Sequence, residues 1–230
     1  MPEEIEYRLR RSARARHARV VVSHEGEIEI VLPRGMAVCD VEPLLAEKRR
    51  WIERTLRRFE EARAAAPTRL EDGGVVPYLG ERLSLRVRVE PGRVRPHVAL
   101  RRGSLEVAVG EPGAEALRNA LERWYRREGR IEIGTRLDAA ARRAGRTYGR
   151  LSIRAQQTRW ASCSSSGEMS FNWRLLLAPA SILDYVVEHE VAHLEVSDHS
   201  PRFWALVADR CPDYREHERW LRRNAASLRL

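Results

Sequence analysis

Two long stretches of helical periodicity, separated by short runs of alternating residues, restrict this chain to a mixed architecture. From Asp40, a good N-cap residue, the apolar Val41, Leu44, Leu45, Trp51, Ile52, Leu56 and Phe59 recur at three- and four-residue steps. That spacing predicts an amphipathic helix to about Ala65, with a loop from Pro67 to Gly74 after it. After Glu111-Pro112-Gly113 the pattern returns with Leu117, Leu121, Trp124, Tyr125, Ile131 and Leu137, and Gly145 and Gly149 close it. The segments around these helices carry the other period. Val20 to Leu32 reads as a hairpin turning at His24-Glu25-Gly26-Glu27, and Leu83 to Val89 and Leu105 to Val109 are β-type runs. Both periods in one chain predict an α+β fold. The expected division is a strand-rich N-terminal domain with one long helix over residues 1–112 and a second domain over 113–230.

Composition narrows the class. With 43% hydrophobic and 33% charged residues in 230 positions, the chain has enough apolar content for a packed core. No run of about 18 uncharged apolar residues occurs, and the charged start from Met1 to Arg11 lacks the apolar stretch of a secretory signal, so a soluble cytoplasmic protein without a membrane partner is expected. Cys39, Cys163 and Cys211 are an odd number without a Cys-x-x-Cys pair, which argues against a disulfide framework. A net charge of +9 is compatible with a nucleic-acid or nucleoprotein partner, and an Arg-rich binding module is the alternative reading. Arginine nevertheless appears on every segment, and Lys48 is the only lysine, so the charge by itself is equally a solvated surface.

The C-terminal part carries the chemistry. Leu151 to Ala155, Arg159 to Ser162 and Met169 to Leu177 are strand candidates, with Ser164-Ser165-Ser166-Gly167 as a turn. The last of these places Phe171, Trp173 and Leu175 on one side and Ser170, Asn172 and Arg174 on the other, and its edge is a candidate for holding an extended peptide by strand addition. Pro179 suits the first turn of a helix over Ala180 to Leu194. Further helices are expected from Ser200-Pro201 through Asp209 and from Pro212-Asp213 to about Asn224.

Inside the helix from Ala180 lies His189-Glu190-Val191-Ala192-His193, an H-E-x-x-H pattern. Four helical residues advance about 6 Å and complete slightly more than one turn, so both imidazoles leave one face and can share one ion. His199, directly before the Ser200-Pro201 cap, is the candidate third ligand, with Glu195 or His217 as substitutes. With 7 His and 26 Glu in the chain, random placement yields such a pattern only about 0.02 times. Three neutral imidazoles would hold one zinc ion at full charge with an open position, the arrangement of a catalytic rather than a closed structural site. Glu190 is then the general base for peptide-bond hydrolysis through a metal-activated water, on a protein or peptide substrate. Arg159, Arg174, Tyr185, Tyr214 and His217 are candidates for stabilising the oxyanion. Asp184, Asp198 and Glu216 are candidate acceptors for the histidine N–H groups. Cys163 has no basic partner fixed by sequence, and Trp160 and Trp204 read as packing around the site.

Thr158-Arg159-Trp160-Ala161-Ser162-Cys163-Ser164, Asn172-Trp173-Arg174-Leu175, the His189 to Leu194 helix, Asp198-His199-Ser200 and Phe203-Trp204 together resemble the YgjP-like metallopeptidase domain. The likeness is strongest from Leu151 to Trp220, and Tyr78-Leu79-Gly80 and the Trp124-Tyr125 helix extend it toward the N-terminus. The resemblance implies a zincin-like catalytic domain, its active-site helix set against a small sheet. It also implies zinc at His189, His193 and His199, Glu190 as base, and kinship with SprT-like proteases, some of which act on DNA-bound proteins. Two positions depart from the family's habit: Ala161 stands where glycine is usual, and Asp198 where asparagine is frequent. The His193-to-His199 spacing also matches metzincins, but Val196 occupies the place of their glycine.

Overall fold

The structure is a computed structural model that describes residues 5–13, 15–22, 26–38, 41–65, 69–156 and 159–230. Cys39, the expected cap at Asp40, the turn residues His24 and Glu25, Pro67, Thr158 and the side chain of Phe59 lie outside the described residues. The fold is α+β, with strands and helices gathered into two compact units, residues 1–67 and 68–230.

The first unit holds β1 (Arg8–Ser12), β2 (Arg19–Val22), β3 (Ile28–Pro33) and α1 (Val41–Ala65). β3 is central, antiparallel to β2 as the expected hairpin requires, and parallel to β1. Sequence periodicity gave no sign of β1. Its residues are mostly exposed arginines, tied to the sheet by pairs such as Arg10 to Glu29 at 2.9 Å. Ile30, Leu32, Val41, Leu45 and Ile52 form the core of this unit. Trp51, expected on the apolar stripe, is 42% exposed, because the buried positions follow Val41, Leu45 and Ile52.

The second unit carries a four-stranded sheet of order β4-β5-β7-β6, formed by β4 (Val75–Tyr78), β5 (Glu81–Val89), β6 (His97–Arg101) and β7 (Ser104–Val109). The long α2 (Ala114–Arg143) follows. Next come β8 (Leu151–Arg154), β9 (Ala161–Cys163) and β10 (Met169–Asn172), then α3 (Ala180–Ala192), α4 (Pro201–Arg210) and α5 (Tyr214–Asn224). The division between compact units does not fall at the expected 112/113. Val76, Leu85, Leu105 and Val107 of the four-stranded sheet belong to one hydrophobic core with Leu121, Trp124 and Tyr125 of α2 and Val187 and Val191 of α3. Cutting before α2 would expose both halves of that core.

α2 buries Leu117, Leu121, Trp124, Ile133 and Leu137, whereas Ile131, expected inside, is 57% exposed. The helix stops where Gly145 takes φ +62°, and Arg146 N–H returns to the Ala141 carbonyl at 2.9 Å. This is a left-handed glycine cap that satisfies an otherwise orphaned carbonyl. Met169 to Leu177 is not one strand: it is β10 followed by a 3-10 turn over Trp173–Leu177. Asn172 causes the switch by accepting the Arg174 N–H on Oδ1 at 3.1 Å. The Leu79-Gly80 turn, with φ of +51° and +95°, joins β4 to β5 and docks there, Leu79 N–H donating to the Leu176 carbonyl at 2.7 Å. A Cβ on Gly80 would lie 3.5 Å from Pro179 Cα, so the turn braces the start of α3.

Candidate metal centre

α3 is buried along most of its length, including Ile182, Val186, Val187, Val191 and Ala192. Its helical period turns His189 to the rim of this core, and His193, the C-cap residue, leaves from the next turn. The expected end at Leu194 is instead a tightened reversal in which Leu194 N–H bonds the Val191 carbonyl and Val196 N–H the Ala192 carbonyl. Glu195 fixes this reversal through Arg210, and through Arg146 at 3.6 Å. The chain then returns through His199 into α4. Asp198 Oδ1 accepts the Ser200 N–H at 3.2 Å ahead of Pro201, so His199 sits between two fixed points.

The outcome is convergence. Candidate ligand atoms of His189, His193 and His199 all lie within 4.8 Å of one another. His189 Nε2 and His199 Nε2 are 3.1 Å apart. Two nitrogens on one tetrahedral zinc ion would be separated by roughly 3.3 Å, so the spacing suits a shared ion. His193 Nδ1 lies 3.0 Å from the Val196 carbonyl oxygen, which can only accept. That nitrogen therefore carries the proton, and Nε2 keeps its lone pair. Burial, reinforced by the other two imidazoles, pushes His189 down to about 3, and burial also lowers His193. Neutral imidazole is the ligating form. Nδ1 of His189 is buried without a hydrogen-bond partner among the described residues.

Phe203 lies beneath all three rings. It is fully buried, stacks on His193 at 4.4 Å, and meets His189 and His199 edge-on at 4.9 and 4.8 Å. Trp204 packs 5.7 Å from both His189 and His199 and stacks on Tyr214. Glu190 is 5% exposed and receives a backbone hydrogen bond from Cys163, the last residue of β9. Its Oε2 is buried without a hydrogen-bond partner among the described residues. Burial raises its carboxyl to about 7 against the opposing pull of the Cys163 hydrogen bond and the Arg159 charge. All three histidines and Glu190 border one cleft of about 730 Å³, whose opposite wall includes Ala161 and Cys163.

Several sequence expectations do not meet at this cleft. Asp184 accepts from Arg136 Nε at 2.9 Å, Glu216 faces Arg219, and Asp198 accepts the Ser200 N–H, so none of the three is the acceptor found for a histidine. That role falls to the Val196 carbonyl, which no side-chain pattern announces. His217 lies 3.5 Å from Cys211 Sγ and packs on Tyr185, and Glu195 is held by arginines, so neither replaces His199 in the cluster. Tyr185 approaches His189 with its ring at 6.0 Å, Tyr214 accepts from Arg215, and Arg174 lies 4.8 Å over Trp173. The edge strands are β9, which borders the cleft, and β8, whereas β10 is flanked on both sides. Ala161 pairs with Phe171 in extended backbone and is not among the positive-φ residues, so alanine is accommodated there without strain. Phe203 enters the sequence reading only as part of the family motif; its place under the three imidazoles, four residues after His199, is set by the fold.

An α+β chain with an H-E-x-x-H helix and a third histidine folded back onto it is built as a metallopeptidase. The chain belongs to the YgjP-like metallopeptidase domain family, whose model matches residues 16–224. No curated protein matches it in sequence. Among solved structures, the metallopeptidase zymogen abylysin of Pyrococcus abyssi is similar at 24% identity and a TM-score of 0.33, over 39% of this chain and 91% of that one.

Proposed function

We propose that the protein is a zinc-dependent metallopeptidase that hydrolyses peptide bonds through a metal-activated water, with His189, His193 and His199 holding one ion and Glu190 as general base. The convergence of three imidazoles beside a buried, partnerless carboxylate oxygen in one cleft carries this reading. Zinc held there would supply Lewis acidity toward the scissile carbonyl and lower the pKa of water. The residues do the rest. Glu190, poised near neutrality by burial, takes the proton of the attacking water and delivers it to the departing amine nitrogen. Cys163 N–H holds the carboxylate in place while it does so. The outer edge of β9, along the cleft wall, offers main-chain groups to an extended substrate.

Metal analysis of purified protein beside His189→Ala and His199→Ala, with turnover of casein as an unfolded substrate, tests the proposal. The expected result is about one zinc per wild-type chain, loss of metal in both histidine variants, and a Glu190→Gln chain that keeps metal but loses turnover. Stoichiometric zinc retained in His199→Ala, or full turnover by Glu190→Gln, would overturn it. No helix among the described residues is long and apolar enough to cross a membrane.

A further inference from the structure

The small sheet that backs the cleft has a second edge. In its order β8-β10-β9, β9 borders the cleft and β8 is the opposite outer strand. β8 runs parallel to β10, and the Arg150 carbonyl accepts Met169 N–H at 3.0 Å. By the alternation of a parallel ladder, the main-chain groups of Leu151 and Ile153 point away from β10. Their side chains turn toward α2: a Cβ on Gly134 would lie 3.7 Å from Leu151 Cδ2, and one on Gly129 3.5 Å from Ile153 Cγ2. Arg150, Ser152 and Arg154 therefore turn to the other face.

Charge gathers along this edge. Arg126 and Arg130, one turn apart on α2, join Arg150 and Arg154 around an open groove of about 730 Å³ whose lining, among the described residues, contains no carboxylate. Arg126 is paired with Glu122 at 2.6 Å, and Arg130 donates to the Leu151 carbonyl at 3.3 Å. Arg150 and Arg154 are exposed and have no ion pair or side-chain hydrogen bond among the described residues. Clustered guanidinium groups without counter-charge attract an anionic ligand. A strand edge selects an extended one.

We propose that the free edge of β8 is a docking groove for an acidic, extended polypeptide segment, which adds to the sheet while Arg126, Arg130, Arg150 and Arg154 take its carboxylates. A peptide offers both donors and acceptors to the outward main-chain groups, whereas a phosphodiester backbone only accepts and would face the outward carbonyls with like charge. Among the described residues the groove also lacks an aromatic side chain on which bases would stack. The four residues of β8 span about 13 Å, enough to read a segment of comparable length. As a substrate exosite, which rests on the peptidase reading above, the groove lies two strand spacings, about 10 Å, from the β9 edge and favours proteins carrying an acidic stretch.

Fluorescence anisotropy with a labelled, acetylated octaglutamate, whose carboxylates alternate between both sides of the edge, tests the docking directly, with octalysine and a thymidylate octamer as comparison probes. The acidic peptide is expected to bind, more weakly as salt rises, and to lose at least about tenfold in affinity in Arg150→Ala/Arg154→Ala protein with an unchanged circular dichroism spectrum. Arg126→Gln, on the helix side of the groove, provides a second readout that leaves the strand intact. Equal affinity in both variants, or tighter binding of the thymidylate octamer than of the acidic peptide, would overturn the proposal. Docking retained in His189→Ala keeps this result separate from the metal site, and wild-type protein that docks the peptide yet turns over no casein refutes the peptidase reading and leaves the groove standing.

Discussion

Replacing Glu190 by glutamine is expected to strengthen the metal-free fold while removing its chemistry. The carboxylate is nearly enclosed, one of its oxygens has no partner, and burial moves it from 4.5 to about 7. At about 1.4 kcal/mol for each tenfold change in proton affinity, keeping the ionised form inside the fold costs about 3 kcal/mol. The unfolded chain releases this proton near 4.5, whereas the folded chain holds it to about 7. Folded protein thus binds more protons across that window, and metal-free stability declines as pH rises through it. Glutamine keeps the shape and has no charge to bury. Urea unfolding of chelator-treated protein, followed by tryptophan fluorescence, should place Glu190→Gln above wild type by up to about 3 kcal/mol near pH 8, with the difference closing toward pH 4.5. A difference that does not vary with pH, or a variant less stable than wild type near pH 8, would refute the burial argument.

Phe203→Leu keeps an apolar side chain under the triad but loses ring contact with three imidazoles. It should cost about 1–2 kcal/mol in thermal unfolding and about tenfold in zinc affinity by chelator competition, and unaltered zinc affinity would show that the ring does not position the ligands. Arg210→Met removes the main partner of Glu195 and should loosen the reversal between His193 and His199, read as faster hydrogen exchange at the Val196 amide that now bonds Ala192. Burial, reinforced by Glu190, pushes the Cys163 thiol up from 9.0 to about 11, so alkylation of Cys163 in chelator-treated protein should rise with a midpoint near 11. A midpoint near 9 would place the thiol in open solvent.

What the sequence made legible follows from the range of the forces involved. α1 to α5 appear where three- and four-residue spacing, Gly145 and the Ser200-Pro201 pair put them, because helix period and caps are local properties. The cluster of His189 and His193 is equally local, being one turn of one helix, and His199 joins it through a short reversal. β1 was not legible, since a strand of exposed arginines has no alternation and exists only through its pairing with β3. Ile131 and Trp51 were misplaced because a helix face is decided by what packs on it, and each lies beside the buried stripe rather than on it. The apparent strand from Met169 to Leu177 failed for a different reason: alternation continues through Trp173 and Leu175, but one asparagine side chain takes over the hydrogen bonding of the backbone.

The same distinction separates the two halves of the candidate site. Side chains that would grip a cation are fixed by spacing along α3 and its exit, whereas the groups that hold them in place come from elsewhere in the chain or from the backbone itself. Phe203 from α4, the Val196 carbonyl and the Cys163 N–H each act through a contact that no residue pattern encodes. Their joint effect is energetic as well as geometric. A buried carboxylate with an oxygen unpartnered among the described residues, beside three imidazoles, is unfavourable for the isolated fold, and it is sustained by the apolar packing of Val186, Val187, Val191 and Ala192 along the rest of α3. A helix selected for stability alone would place an apolar residue at position 190. The retained Glu190 marks where the fold gives up stability, and a cation at the neighbouring imidazoles is the charge that would offset it.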